Sequence, residues 1–219
     1  CDSRRQRQMC IRDRIKTKKP NLNDWKNVVK AKLRPDKEVN VSFVGKYTEL
    51  KDSYKSINEA LEHAGIKNKA KVNINFVEAE NITSRNIKKM LKGADAVLVP
   101  GGFGSRGIEG MILACKYARE NNIPYLGICL GMQVAIIEYS RNILNLKGAN
   151  STEFDKDTKY PVIGLITEWS DISGKREKRN QNSDLGGTMR LGGQLCKLKK
   201  NSKTHKMYKR NEIVEIHRH

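Results

Sequence analysis

A sharp turn joins a short apolar segment to an amphipathic one, and this turn constrains the fold of the chain most strongly. The apolar run at residues 123–128 predicts a buried strand. After the turn, apolar residues recur at the spacing of one helix face: Met132, Ala135, Ile136 and Tyr139. Cys129 lies on the turn itself, with Gly127 and Gly131 two positions to either side. The sequence therefore predicts a strand, a tight turn that carries a cysteine, and a helix.

This pattern is the cysteine form of the G-x-S-x-G nucleophile elbow. Small flanking residues permit a close approach of strand and helix and a strained backbone at the central residue. The turn would expose the sulfur of Cys129 beside the N–H groups and the positive dipole end of the helix, which favour a thiolate. The alternative is a buried free cysteine that packs as a small apolar group. The spacing alone does not decide between the two.

A second glycine-rich turn follows another predicted strand. The apolar residues 96–99 run into the segment PGGFG at residues 100–104. In acyl transfer, an oxyanion hole takes one N–H from the residue after the nucleophile, here Leu130, and one from a neighbouring loop. Gly102 is the candidate in that loop. Because ligands of parallel α/β sheets bind at the carboxyl ends of strands, we expect both turns at the same edge of the sheet.

Strands and helices alternate along the first two thirds of the chain. Helical spacing predicts helices at 20–33, 52–64, 84–91 and 108–120, and apolar runs predict strands at 39–45, 71–77 and 96–99. Asn23 and Gly65 are the predicted caps of the first two helices, and Cys115 is a predicted core residue. Such alternation predicts an α/β fold with a mainly parallel sheet flanked by helices. Later predicted strands, at 161–167, 191–198 and 213–217, suggest a partial antiparallel extension.

The net charge of +19 is concentrated at the two ends of the chain. Residues 1–38 carry 13 basic and 5 acidic side chains, and residues 171–219 carry the same numbers. The intervening residues, which include both glycine-rich turns, are nearly balanced. The basic ends contain few aromatic residues for base stacking and match none of the common nucleic-acid-binding modules. Solvated surface and contacts to phosphate-bearing nucleotides therefore explain the charge better than nucleic-acid binding does.

Cysteine usage and hydropathy predict a cytoplasmic protein. The five cysteines are odd in number and contain no C-x-x-C pair, which argues against a disulfide framework or a zinc site. No apolar run approaches the roughly 18 residues that a membrane helix requires, and the polar N-terminus is unlike a signal peptide. We therefore expect a reducing compartment, no metal ion in this chain and no membrane association.

Four segments together resemble the class I, triad-type glutamine amidotransferase domain of the CTP synthase family. They are PGGFGSRGIEG, NIPYLGICLGMQ, GANSTEFD and SDLGGTMRLG. The first two are shared with other glutamine amidotransferases, whereas the last two resemble the CTP synthase branch. The resemblance implies a flavodoxin-like amidotransferase domain at 39–219, an interdomain linker helix at 16–38, and a segment at 1–15 that lies outside the family and is disordered or artefactual.

The resemblance assigns roles to particular residues. Cys129 is the expected nucleophile, which forms a γ-glutamyl thioester while the N–H groups of Gly102 and Leu130 stabilise the oxyanion. The residues expected to hold the glutamine substrate are Gly131, Met132, Gln133 and Glu153. Arg179 matches a family position linked to activation by GTP. The catalytic His-Pro-Glu motif and the arginine that holds the substrate carboxylate are expected beyond His219, so this chain alone is expected to be inactive.

The family reaction makes CTP from UTP, with ATP and Mg²⁺ used by an N-terminal synthase domain and ammonia drawn from L-glutamine. The implied partners are L-glutamine, that synthase domain and further copies in a homotetramer, with GTP as an allosteric activator and no cofactor in the glutaminase domain itself. One alternative is another class I amidotransferase, which feeds GMP, anthranilate or carbamoyl phosphate synthesis. The other is a regulatory or assembly domain without catalysis, which the intact turn at Cys129 disfavours.

Overall fold

The computed structural model divides the chain into two compact units, Cys1–Asn145 and Leu146–His219. It describes residues 4, 8, 11–12, 20–49, 51–165, 168–170, 176–178 and 191–218. Within these ranges, no helix is long and apolar enough to cross a membrane. The two glycine-rich turns both lie in the first unit.

A four-stranded parallel sheet forms the centre of the first unit. Its strands are β1 (Lys37–Gly45), β2 (Ala70–Glu78), β3 (Ala96–Val99) and β4 (Tyr125–Gly127). They are ordered β2-β1-β3-β4. In register, Val41 of β1 lies opposite Ala96 of β3, and Val99 of β3 lies opposite Gly127 of β4. The carboxyl ends of β3 and β4 therefore meet at one edge, as the sequence predicts.

Helices flank this sheet. They are α1 (Asn23–Leu33), α2 (Lys55–Lys67), α3 (Ile87–Met90), α4 (Ile108–Glu120) and α5 (Leu130–Asn142). Short 3₁₀ turns at Lys51–Tyr54 and Ala79–Asn81 precede α2 and follow β2. The predicted bounds of α4 match those of the structure, and its predicted core residue Cys115 is buried. The predicted α/β fold with a mainly parallel sheet is confirmed.

The core lies where β1 and β3 run side by side. Phe43 and Val44 of β1 and Val97 of β3 are fully buried, because central strands of a parallel sheet are covered on both faces. The Phe43 ring meets the Tyr54 ring edge-on at a centroid distance of 4.6 Å. This aromatic contact ties the carboxyl half of β1 to the turn that begins α2.

The buried face of α5 differs from the one that periodicity predicts. Met132, Ile136 and Tyr139 are 54%, 38% and 49% exposed. The face that is buried carries Leu130, Gly131, Val134, Ile137 and Glu138. The prediction failed because α5 is apolar on two sides, and backbone contact decides which side is covered. The Gly131 backbone lies so close to β3 that an added Cβ would be 2.2 Å from the Val99 carbonyl oxygen.

The strand before the turn is shorter and more exposed than predicted. The apolar run at 123–128 contributes only three residues to β4, and Leu126 is 56% exposed. In the described sheet β4 is an outer strand, so its side chains have a strand neighbour on one side only. The prediction of a buried strand is therefore wrong for Leu126, although the position of the strand is right.

Gly65 does not end a helix. The helix α2 continues to Lys67, and Gly65 lies buried within it. A Cβ at this position would be 2.5 Å from the carbonyl oxygen of Ala70, the first residue of β2. Close packing of the helix on the start of β2, and not the conformation of a helix cap, therefore explains the glycine.

Two asparagine side chains set helix starts differently from the prediction. Asn23 is the first residue of α1 rather than its cap, because its N–H donates to the side-chain oxygen of Asn21 at 3.0 Å. The helix predicted at 84–91 shrinks to α3. Before it, the Asn86 side chain accepts from the N–H of Thr83 at 2.8 Å. Such local side-chain bonds compete with helical ones.

The described part of the second unit consists of short strand pairs and one helix. Its elements are β5 (Asn150–Ser151), β6 (Pro161–Ile163), β7 (Glu168–Ser170), β8 (Arg176–Lys178), β9 (Leu191–Lys197), α6 (Lys203–Tyr208) and β10 (Glu212–Arg218). β9 and β10 pair in antiparallel fashion, with Val214 opposite Leu195, which confirms the antiparallel extension. The strand predicted at 161–167 ends at Ile163, and residues 166–167 lie outside the described ranges.

Candidate active site

Cys129 lies on the tight connection between β4 and α5. Its backbone angles are φ 54° and ψ −102°, a combination that side-chain-bearing residues rarely adopt. Such a conformation costs about 1–3 kcal/mol and persists only where the surroundings fix it. Here the Cys129 carbonyl accepts from the N–H groups of Met132 and Gln133 at 3.1 and 3.2 Å. The strained turn is therefore held by the first turn of its own helix.

The glycines on either side of Cys129 are required by close backbone contact. A Cβ on Gly127 would lie 2.4 Å from the Gly131 carbonyl group, and one on Gly131 would lie 2.2 Å from the Val99 oxygen. Real Cβ atoms do not approach backbone atoms so closely. The G-x-C-x-G spacing thus lets strand, turn and helix stack without intervening side chains, and this leaves the cysteine at the edge of the sheet.

The amide groups of this turn have distinct partners. The Gly131 N–H donates to the Ile128 carbonyl at 3.0 Å, and the Met132 N–H donates to Cys129. Within the described ranges, the Leu130 N–H has no backbone carbonyl partner. The Leu130 amide shares its peptide with the Cys129 carbonyl, whose two accepted hydrogen bonds fix the plane of that peptide. Of the three amides that follow the sulfur, Leu130 is therefore the one free to face a substrate oxygen.

The glycine loop (residues 100–104) lies directly against this turn. The Ile128 N–H donates to the Val99 carbonyl at 2.9 Å, which joins the ends of β3 and β4. A Cβ on Gly101 would be 3.3 Å from the Cys129 Cβ, and one on Gly102 would be 3.3 Å from the Leu130 side chain. The loop backbone can approach the sulfur because these two residues carry no side chain.

This arrangement has three of the parts that acyl transfer needs: a cysteine on a strained turn, a backbone N–H beside it and a glycine loop facing it. A family model described as glutamine amidotransferase class-I matches residues 49–219. The chain belongs to the class I glutamine amidotransferase family. Its four-stranded parallel sheet, its flanking helices and the turn at Cys129 are therefore features of an amidotransferase domain.

A solved structure narrows the comparison. The chain is similar to the glutaminase domain of Trypanosoma brucei CTPS with bound acivicin, with 37% sequence identity and a TM-score of 0.69. The match covers 83% of this chain and 66% of that one. The chain thus spans slightly less than two thirds of the length of the trypanosomal domain.

The remaining site residues of this amidotransferase fall into two groups. Gln133, on the first turn of α5, has a buried side-chain oxygen with no hydrogen-bond partner among the described residues. Met132 beside it is exposed. Glu153 lies in the second unit, exposed in the turn after β5, where its N–H donates to the Ser151 hydroxyl at 3.2 Å. Arg179 lies outside the described ranges. The substrate-binding roles of these residues, and those of Gly102, Leu130 and Gly131, stay predictions.

None of the four histidines lies close to Cys129 in the sequence. His63, the one histidine of the first unit, is exposed on α2. In the second unit, His205 lies on α6 with its ring Nε2 3.1 Å from the Asn211 side-chain oxygen, and His217 lies on β10 opposite Gly192. Within the first unit, Cys129 therefore has no buried histidine beside it.

A buried polar cluster below the turn escaped the sequence analysis. The Tyr125 hydroxyl donates to the Gly131 carbonyl at 2.8 Å. The fully buried Glu138 accepts three hydrogen bonds from the Arg119 guanidinium, at 3.2, 3.0 and 2.7 Å. Burial, with a smaller contribution from the Glu138 charge, raises the pKa of the Cys115 thiol to about 12. A glutamate within the apolar sequence of α5 was the signal that could have revealed this cluster.

Lys46, the residue after β1, also escaped the sequence analysis. It is only 6% exposed, and its side chain donates to two carbonyls of the glycine loop. The available signal was a lysine directly after the apolar end of a central strand, a position that lies at the ligand-binding edge of a parallel sheet.

Proposed function

We propose that this chain is the glutaminase domain of a CTP synthase, in which Cys129 attacks the side-chain amide of L-glutamine. One observation carries the proposal. The strained turn at Cys129 packs against the glycine loop in a chain that is 37% identical to a CTPS glutaminase domain with bound acivicin. Acivicin is a glutamine analogue, so the trypanosomal domain supports glutamine as the substrate here.

In the proposed reaction, the Cys129 sulfur bonds to the amide carbon and the carbonyl electrons move onto the oxygen. The N–H groups of Leu130 and Gly102 stabilise that oxyanion, because hydrogen-bond donors that already point at a developing negative charge lower the energy of the transition state. Collapse of the oxyanion breaks the C–N bond, and the nitrogen leaves as ammonia after it takes up a proton. Water then attacks the thioester, which yields glutamate and the free thiol.

Gln133 and Glu153 would hold the substrate. The unpartnered, buried oxygen of Gln133 can accept a hydrogen bond from an ammonium or amide group. The Glu153 carboxylate would pair with the α-amino group of glutamine. Met132 and Gly131 would line the site through the backbone of the first turn of α5.

The proton transfers require a base that the first unit does not place at Cys129. A histidine oriented by a carboxylate usually serves a cysteine nucleophile, whereas His63 is exposed on α2. A histidine outside the first unit would therefore have to supply this base. The reactivity of Cys129 toward electrophiles depends less on such a base and is the better test.

The ammonia would aminate UTP on a synthase domain, which uses ATP and Mg²⁺. We assign no residue of this chain to those ligands. GTP would act as an activator, with Arg179 as the residue linked to it, and the full enzyme would assemble as a homotetramer in the cytoplasm. Another class I amidotransferase of GMP or anthranilate synthesis, or a non-catalytic domain, is less well supported, because a solved structure at 37% identity to this chain is a CTPS glutaminase domain.

Selective labelling tests the nucleophile. We expect acivicin to modify Cys129 at least about ten times faster than Cys115, because a buried thiol is inert. The same factor is expected over Cys196, which is as accessible as Cys129, because the proposed site would bind the glutamine analogue at Cys129. Mass spectrometry of tryptic peptides after timed exposure measures each rate. Cys129→Ala should abolish the labelling, and the matched Cys196→Ala variant should leave it unchanged. Equal labelling of the three cysteines would overturn the proposed function.

A further inference from the structure

A lysine ammonium is buried at the carboxyl end of β1. Lys46 is 6% exposed, and its Nζ donates to the carbonyl oxygens of Phe103 and Gly104 at 2.7 and 2.6 Å. These acceptors lie 57 and 58 residues further along the chain. Both belong to the glycine loop, and they directly follow Gly102.

Such a lysine needs a reason. Transferring an ammonium group from water into a protein interior costs on the order of several kcal/mol, unless hydrogen bonds replace its hydration. Two short, charge-assisted bonds to carbonyls do so here, and they are among the stronger hydrogen bonds in proteins. An apolar residue of similar length would leave both loop carbonyls without this donor.

The glycine loop is a segment whose shape must be fixed from outside. Three of its five residues are glycines, and Gly104 has a φ of 75°, in the region that favours glycine. Glycines lose the most backbone freedom on ordering. Lys46 holds the two consecutive carbonyls that follow Gly102, and thereby removes freedom at the Phe103–Gly104 and Gly104–Ser105 peptides of the loop.

Lys46 is itself anchored. The Tyr54 hydroxyl donates to the Lys46 carbonyl, and Tyr54 packs edge-on against Phe43 in the core. A Cβ on Gly45 would lie 3.4 Å from Pro100, the first residue of the loop. The base of the lysine side chain is thus fixed to the sheet while its tip is fixed to the loop.

We infer that Lys46 is a positioning residue for the oxyanion hole: its buried ammonium fixes the glycine loop so that the Gly102 N–H faces the oxygen of the substrate. The inference rests on the function proposed above. Lys46 does not contact the reacting atoms in this scheme. It acts through the loop, so its loss should weaken binding of a tetrahedral adduct, whose oxygen lies in the oxyanion hole, more than binding of the planar carboxamide.

An aldehyde probe measures binding in the oxyanion hole separately from binding of the carboxamide, and it requires no turnover. In L-glutamate γ-semialdehyde the reactive amide is replaced by an aldehyde. The Cys129 sulfur bonds to its carbonyl carbon, the carbonyl electrons move onto the oxygen, and the thiol proton ends on that oxygen. This reversible hemithioacetal places its oxygen in the oxyanion hole. Its dissociation constant is measured by competition with acivicin labelling of Cys129, and that of L-glutamine is measured in the same way.

Three substitutions define the expected result. Lys46→Met should weaken aldehyde binding about tenfold while glutamine binding changes less than about twofold, a smaller loss than removal of an oxyanion donor itself. Lys46→Arg, which keeps a cation with several donors, should recover at least half of the lost aldehyde affinity on a logarithmic scale. Lys37→Met changes an exposed lysine at the opposite end of the same strand and should bind both ligands as the unmodified chain does.

The outcomes separate the inference from the proposed function. If the unmodified chain forms no aldehyde adduct at Cys129, both fail. If it forms the adduct and Lys46→Met binds the aldehyde equally well, or loses both ligands equally, the inference alone is overturned. The rate at which iodoacetamide alkylates Cys129 does not depend on the oxyanion hole. This rate should differ less than about twofold between Lys46→Met and the unmodified chain. Should Lys46→Met not fold, Lys46→Gln carries the same comparison with the same expected direction.

Discussion

The turn that carries Cys129 and the buried cluster that holds Cys115 are neighbours in the same unit, yet the two thiols have different environments. Cys129 lies half-buried on a strained backbone at the edge of the sheet. Cys115 lies inside α4, where burial raises its pKa to about 12. Because the reactivity of a thiol depends on its surroundings, the two cysteines should differ in reactivity although they are the same residue type.

The two regions also differ in how they are held. Backbone contacts and glycines fix the turn, whereas side chains fix the cluster through the Arg119–Glu138 pair. Tyr125 joins them, because its hydroxyl donates to the Gly131 carbonyl of the turn, while the same side chain acts on the Cys115 thiol and lowers its pKa against the larger effect of burial. Substitutions in the two regions should therefore separate backbone-dependent stability from side-chain-dependent stability.

Gly131→Ala should have the largest effect. The added Cβ would lie 2.2 Å from the Val99 oxygen, so β3 and α5 would have to move apart. We expect a loss of at least about 3 kcal/mol in the free energy of unfolding, at the upper end of overpacking effects. Urea titration monitored by circular dichroism measures it.

Gly164→Ala is the matched control for that substitution. Nothing lies within 4 Å of the position where its Cβ would be, so its stability should stay within about 0.5 kcal/mol of the unmodified chain. A Gly131→Ala variant as stable as the control would mean that backbone contact does not hold the turn.

Cys115→Ser tests the buried region through pH. The folded pKa of about 12 lies above the ordinary value of 9.0, so the folded state keeps a proton that the unfolded chain releases. The contribution to stability is therefore complete below pH 9 and is lost as the pH rises toward 12. Between pH 9 and pH 11 we expect the unmodified chain to lose about 2 kcal/mol more than Cys115→Ser does.

Urea titrations at a series of pH values measure this difference, and the serine variant corrects for all other titrating groups. Parallel stability curves for the two proteins would show that the Cys115 thiol ionises freely in the folded state. In that case burial in α4 would not keep the Cys115 thiol protonated.

Local patterns in the sequence predict much of the fold. The bounds of α4, the position of β3 and the turn at Cys129 depend on contiguous spacing, so periodicity predicts them. The buried face of α5 was predicted wrongly, since Met132 and Val134 both belong to apolar stripes. Only the contact of Gly131 with Val99 decides which stripe faces the sheet.

Long-range polar contacts were not predictable from spacing. Lys46 reaches carbonyls more than fifty residues away, and Glu138 meets a guanidinium on another helix. Neither belongs to a local motif, and both are of a residue type that is usually exposed. The position of Gly102 beside Leu130 was predictable because the ends of neighbouring parallel strands meet at one edge.

Tyr125→Phe should have the smallest effect and is the sharpest test of whether the two regions are coupled. It removes one buried hydroxyl that bonds to the Gly131 carbonyl, and such a bond contributes about 1 kcal/mol to stability. If the turn is held by its backbone contacts alone, iodoacetamide should alkylate Cys129 at a rate within about threefold of the unmodified chain, since thiol reactivity follows its local environment. Tyr139→Phe, an exposed tyrosine of the same helix, should change stability by less than about 0.5 kcal/mol. A tenfold slower alkylation in Tyr125→Phe, with Tyr139→Phe unchanged, would show instead that the buried cluster sets the geometry of the turn at Cys129 through this one hydroxyl.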